Sequence, residues 1–117
     1  MYIRIMKSSL YKGSLETIIV HLLSDGKMYG YQITQKIKAI TDGEIIVKEG
    51  SLYPLLHKME AKGTITATTE RHENRLRKYY HLTPSGSKIK NELIAEMKSY
   101  LGLMDKILDT QVKLNNR

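Results

Sequence analysis

The chain has 117 residues, no cysteine, and 19 lysines and arginines against 12 aspartates and glutamates, a formal net charge of +7. That length fits one compact domain with at most one appended element, and 41% hydrophobic with 26% charged residues excludes wholesale disorder. The missing cysteines exclude disulfide staples, cysteine-based zinc sites and a cysteine nucleophile, while the excess of cations points weakly to a polyanionic partner.

The opening run Met1 to Lys7 is too short and too charged for a signal peptide, and no stretch approaches the ~18 apolar residues of a membrane span, so a soluble, cytoplasmic protein is expected. From Ser14 to Asp25, Leu15, Ile18, Ile19, Leu22 and Leu23 form the stripe of an amphipathic helix, which Gly26 stops. A second helix is predicted from Tyr29 to about Thr41, with Tyr29, Ile33, Ile37 and Ile40 on one face and Asp42-Gly43 as the closing turn. The β-branched run Ile45-Ile46-Val47 reads as a small strand. A third helix starts near Ser51 as N-cap, with Pro54 in its first turn and Leu52, Leu55, Leu56 and Met59 as its stripe; Gly63 ends it.

Past Gly63 the period changes to two. Thr64 to Thr69 and Leu76 to Leu82 alternate as the strands of a hairpin, joined by the polar connection Glu70 to Arg75. Thr83-Pro84 is a helix start, and no further proline intervenes before Arg117, which predicts a final helix of up to ~30 residues. Its apolar residues Leu93, Met97, Tyr100, Met104 and Ile107 fall at coiled-coil spacing, and Ile94, Leu101 and Leu108 widen the seam. Packing back onto its own domain is one reading of that face; self-association is the other, favoured by a helix that outreaches so small a body. The fold class is thus mainly α with a small β hairpin. Residues 1–83 read as a winged helix-turn-helix for DNA and residues 84–117 as a dimerisation helix.

Three helices followed by a hairpin with a charged tip place a helix in the major groove and the tip over neighbouring phosphates. The segments Met28-Tyr29-Gly30-Tyr31-Gln32-Ile33, Glu49 to Glu60 with its Gly-Ser-Leu-Tyr-Pro core, and Arg77 to Gly86 resemble those of the PadR-type transcriptional regulators, a likeness that covers about residues 10–110. The resemblance implies a dimeric repressor whose recognition helix and wing bind a palindromic operator and whose C-terminal helix makes the dimer. The multidrug-sensing members it is similar to carry a tryptophan on that helix to stack flat ligands. This chain has no tryptophan; Met97, Tyr100 and Met104 are the residues that would take that role for a small hydrophobic or aromatic effector, and filling of the seam is the equal alternative.

Candidate DNA contacts fall in three groups. Lys48, Gly50 and Ser51 lie at the start of the third helix, where orphan N–H groups favour a phosphate, although Ser51 reads equally as an ordinary cap. Tyr53, His57 and Lys58 follow on its outer face, with Tyr53 also readable as a rim of the core. Arg71, Arg75, Arg77 and Lys78 flank the wing, where a solvated charge run is the alternative. Tyr29, Gln32 and Lys36 of the second helix complete the set; for Tyr29 and Gln32 the likeness to the family supplies the DNA reading, and structural roles stand beside it. Gly30, between two tyrosines, suggests close helix packing. His21, His57, His72 and His81 show no metal-ligand spacing, and no nucleophile, base and orienter are grouped, so neither metal, cofactor nor enzyme activity is expected. An interaction module that binds another protein through the coiled-coil helix is the rival reading.

Overall fold

Apolar stripes become helices where a common core is available to receive them. In the computed structural model, which describes residues 5–111, a short helix α1 (Ser8–Tyr11) and a 3-10 turn (Lys12–Ser14) lead into α2 (Leu15–Leu23). Helix α2 buries Leu15, Ile19, Val20, Leu22 and Leu23. It shares one core with Ile33 and Ile37 of α3 (Gly30–Ile40), Leu52, Leu56 and Met59 of α4 (Glu49–Ala61), and Ile65 and Tyr80 of the sheet. Helix α1 is a single turn, too short to show a period; its Tyr11 is buried and donates its hydroxyl to the Ile46 carbonyl at 3.0 Å. Ile40, expected on the inner stripe of α3, is exposed in the last turn.

Both α3 and α4 end in a left-handed closure. After α4, the Thr64 N–H reaches the Met59 carbonyl and the Gly63 N–H the Glu60 carbonyl, each at 3.0 Å, with Gly63 at φ +80°, a geometry that a side chain would strain. At its start, Lys48 rather than Ser51 is the N-cap: the Lys48 carbonyl accepts from the Ser51 and Leu52 N–H groups. Pro54 therefore falls in the second turn, not the first, and lacks the N–H that would reach back one turn.

The expected strand at Ile45–Val47 does not form. The Ile45 N–H is taken by the Thr41 hydroxyl at 3.0 Å and the Ile46 carbonyl by Tyr11, while Val47 is buried in the core. Groups a ladder would use are already bonded. The additional strand is β1 (Met28–Tyr29), which pairs antiparallel with β3 (Arg75–Leu82) as Met28↔Tyr80 and Tyr29↔Tyr79, giving the sheet order β1-β3-β2 with β2 (Ile65–His72). Tyr29 is consequently the N-cap of α3 and not its first residue.

Strands β2 and β3 run further than expected, from Ile65↔Leu82 to His72↔Arg75. The polar connection is mostly strand, because Glu70 pairs across from Arg77 and only Glu73 and Asn74 make the turn. Their φ values of 51° and 63° are those of a type I′ hairpin.

Helix α5 (Pro84–Asp109) begins as predicted, with the Thr83 hydroxyl accepting from the Gly86 N–H at 2.9 Å. It ends before Thr110, shorter than expected, and the predicted continuation over 112–117 lies outside the described residues. The buried Gly86 sits so close to the Thr64 carbonyl that a Cβ would overlap it, and the Thr83 N–H bonds that same carbonyl at 3.1 Å. Farther along, Leu93 packs on the core and Met97 lies 3.9 Å from the Ser14 hydroxyl. Packing back therefore occurs in part: the first section of the seam folds against α2, while Tyr100, Leu101, Leu103, Ile107 and Leu108 are exposed. Among the described residues no helix is long and apolar enough to cross a membrane.

Candidate nucleic-acid interface

Burial sorts the two faces of α4. Leu52, Leu56 and Met59 are fully inside, which turns Gly50, Pro54, His57 and Lys58 outward, all of them exposed. Alternation sorts the hairpin in the same way. Ala67, Tyr80 and Leu82 point to the core, and the same face continues beyond the body as Lys78, Leu76 and Arg71; the opposite face carries Tyr79, Arg77 and Arg75.

Helix α4 and the hairpin thus wall a groove of about 440 Å³, to which Tyr53 and His57 contribute from one side and Arg75, Arg77 and Lys78 from the other, with Tyr29 at its end. These six, separated by almost fifty positions in sequence, are brought together. A neighbouring groove of about 330 Å³ between the starts of α3 and α4 carries Lys48 beside Tyr53. Lys36, Gly50 and Lys58 are exposed on the helices and Arg71 on the hairpin, outside both linings. Ser51 is half-buried in the first turn of α4.

Some expected contacts have structural employment. Tyr53, read as an outward ring or as a rim of the core, takes the second place: it is half-buried, packs on the core, and lies across Gly30 so closely that a Cβ there would collide with the phenol. Gly30 joins α3 to α4 in this way, as its position between tyrosines suggested. Gln32 turns its Oε1 to the Tyr29 N–H at 3.1 Å, capping α3. The Arg77 guanidinium stacks 4.2 Å from the centroid of the Tyr29 ring, with its Nε buried and unpartnered, and Tyr29 meets Tyr79 edge to face at 5.4 Å. Lys78 pairs with Glu60 of α4 at 3.3 Å and lies 5.5 Å over the Tyr80 ring, whose phenol is pushed up in pKa by burial. These two cations orient the wing. Arg71 and Arg75 make no ion pair among the described residues.

The outer face of the hairpin holds a tie that the sequence reading missed. Lys27, in the loop before β1, pairs with Glu70 and lies 5.0 Å over the Tyr79 ring. The second oxygen of Glu70 accepts from the Thr68 hydroxyl at 2.9 Å, which leaves His81 Nε2 to donate to Thr68 at 2.8 Å. The Lys27 ammonium, followed by the Thr68 hydroxyl, holds the Glu70 carboxyl below the usual carboxylate range. Also missed was Tyr31, which is 61% exposed and lines both grooves; its place in the first turn of α3, next to Gly30, was the available signal. No group of three or more acidic or histidine side chains among the described residues is placed to hold a metal ion.

A third groove, about 460 Å³, lies away from these, between the 3-10 turn and α5; Leu10, Ser14, Thr17, Leu93, Met97 and Tyr100 line it, and Met104 does not.

Residues 19–92 match the model of the transcriptional regulator PadR-like family. The chain belongs to that family. The matched stretch takes in α3, α4, the whole hairpin and the start of α5, so the winged helix-turn-helix of PadR-like regulators is the part that carries the match. A transcriptional regulator from Clostridium thermocellum superposes with a TM-score of 0.78 at 30% identity, over 87% of this chain and 97% of that one. A PadR-like transcriptional regulator from Bacillus cereus gives 0.76 at 30% identity, over 89% and 100%. A transcriptional regulator of Mycobacterium tuberculosis is 32% identical over 68 residues, 58% of this chain and 61% of the relative.

Proposed function

We propose that this PadR-like chain is a cytoplasmic, non-enzymatic homodimeric repressor that binds double-stranded DNA at a palindromic operator. Residues 1–83 read the DNA and residues 84–117 hold the dimer. The observation that carries this reading is the groove between α4 and the wing, walled by His57, Arg75, Arg77 and Lys78. An exposed helix face enters a major groove while the wing's cations meet the backbone beside it. Lys36, Lys48, Lys58 and Arg71 extend the positive surface, and Gly50 with Ser51 offers N–H donors at a helix start. Tyr29, Gln32 and Tyr53 hold that surface in shape and present their polar atoms at its edge.

The dimer reading is supported by Leu101, Ile107 and Leu108, exposed on the far section of α5, which leaves the packing against α2 behind. Leu93, Met97, Tyr100 and Met104 continue the same seam. An effector that is flat and hydrophobic suits the thioethers and ring of Met97, Tyr100 and Met104, and releases DNA only by preferring a different spacing of the two wings.

Electrophoretic mobility shift against a duplex selected from a random pool, compared with an unselected duplex over a range of salt, tests the reading. Half-sites centred ~10 bp apart or a multiple of it are expected. Lys48→Ala and Arg75→Ala should each weaken binding on both duplexes and reduce the salt slope by about one. Equal, weak binding to the two would instead favour a protein-interaction module working through α5.

A further inference from the structure

Leu76 is the one apolar side chain in the outer half of β3, and it is 68% exposed. A lone surface leucine is ordinary, but three features separate this one. It stands two residues from a type I′ turn on a hairpin paired to its last residue, so it is held on a narrow, rigid ribbon. Its cross-strand neighbour is Arg71, which has no ion-pair partner among the described residues, and Arg75 precedes it. It also points to the side of the hairpin that faces α4 and lines the groove there.

We propose that Leu76 seats against the deoxyribose walls of the minor groove flanking each half-site, with the Arg71 guanidinium beside it, and that this pair selects A·T-rich flanks. The inference rests on the DNA-binding reading above. Directly opposed side chains on neighbouring strands stand about 5 Å apart, so the pair is accommodated along a minor groove ~6 Å wide, one member behind the other. One member supplies apolar area for the sugars and the other a cation for the deep negative potential of a narrow A·T groove. A guanine amino group on the groove floor would meet the leucine with an unpaired donor. Glu73, at the turn, has the His72 Nε2 at 3.9 Å.

The full chain is used to select duplexes from a random pool, and Leu76→Ser and Leu76→Met are then compared with wild type on the recovered duplex. Leu76→Ser is expected to bind about tenfold more weakly, with the Met variant close to wild type and thermal unfolding unchanged in both. Replacing flanking adenines by 2,6-diaminopurine, which adds only a minor-groove amino group, should weaken wild type more than Leu76→Ser, which keeps only the response of Arg71 to the altered groove. Equal affinity of wild type and Leu76→Ser, or an equal response of both to diaminopurine, overturns the wedge while leaving DNA binding intact. Recovery of no duplex overturns both.

Discussion

Helix α4 buries Leu52, Leu56 and Met59 completely, whereas α5 carries a longer stripe that is half-buried near Leu93 and leaves Leu101, Leu103, Ile107 and Leu108 more than half exposed. The starts of the two helices reverse this relation. Gly86, in the first turn of α5, is pressed against the Thr64 carbonyl, while a Cβ on Gly50, in the first turn of α4, would meet nothing within 4 Å. Helix α5 is therefore anchored at its beginning and open at its far end; α4 is anchored along its middle and open at its beginning. An apolar period marks a face fit for burial and is silent about what buries it, so one stripe completes a folding core in α4 while the longer one leaves an apolar face exposed along the far end of α5.

The largest expected effect lies in the buried stripe. Leu56→Ala should lower folding stability by about 2–5 kcal/mol, read from urea unfolding. The paired change Leu101→Lys with Leu108→Lys should shift stability of the isolated protomer by no more than about 0.5 kcal/mol. By sedimentation, however, it should turn a dimer into a monomer and remove tight operator binding. A doubly substituted chain that still sediments as a dimer would place the association surface elsewhere.

The two glycines give the next contrast. Gly86→Ala forces a methyl group into backbone and should cost about 1–3 kcal/mol, seen as a lower unfolding midpoint. Gly50→Ala has room and should raise stability by roughly 0.5 kcal/mol, yet it adds a methyl group on the outward face and should weaken DNA binding. Were Gly50→Ala to bind operator as tightly as wild type, close approach of a phosphate to that turn would be excluded.

These contrasts mark how far the sequence was legible. The stripes placed α2, α3, α4 and the start of α5 within a few residues, because each face has enough repeats to declare its period. Strand β1 escaped notice, since two residues carry no period and its partner Tyr79–Tyr80 lies fifty positions away. The β-branched run Ile45–Val47 gave the opposite error: Val47 is buried in the core with Ile45 packed on it, and the backbone of the run is bonded to Thr41 and Tyr11. The wing's cations were found as candidates, but their division of labour was not, because stacking of Arg77 on Tyr29 and pairing of Lys78 with Glu60 depend on which strand face each occupies. Read with the full strand length, the alternation from Arg75 to Leu82 would have supplied it.

The smallest effect concerns how the wing is held on its outer face, away from α4. Lys27 depresses the Glu70 carboxyl, the Thr68 hydroxyl adds to this, and the group is at the surface, where such pairs contribute little and are screened by salt. The folded-state value lies below that of the unfolded chain, about 4.3, so the ionised carboxylate stabilises the fold above that pH, and the contribution is lost as the pH falls through the folded value. Glu70→Gln keeps an oxygen for the Thr68 hydroxyl and removes the charge. At neutral pH and low salt the wild type should therefore unfold at slightly higher urea than Glu70→Gln. The gap should narrow on acidification, close once Glu70 is protonated in the folded chain, and be missing at neutral pH when both proteins carry Lys27→Met. A gap that persists unchanged into acid would mean that Glu70 acts through packing, and that the Lys27 tie does not hold the wing.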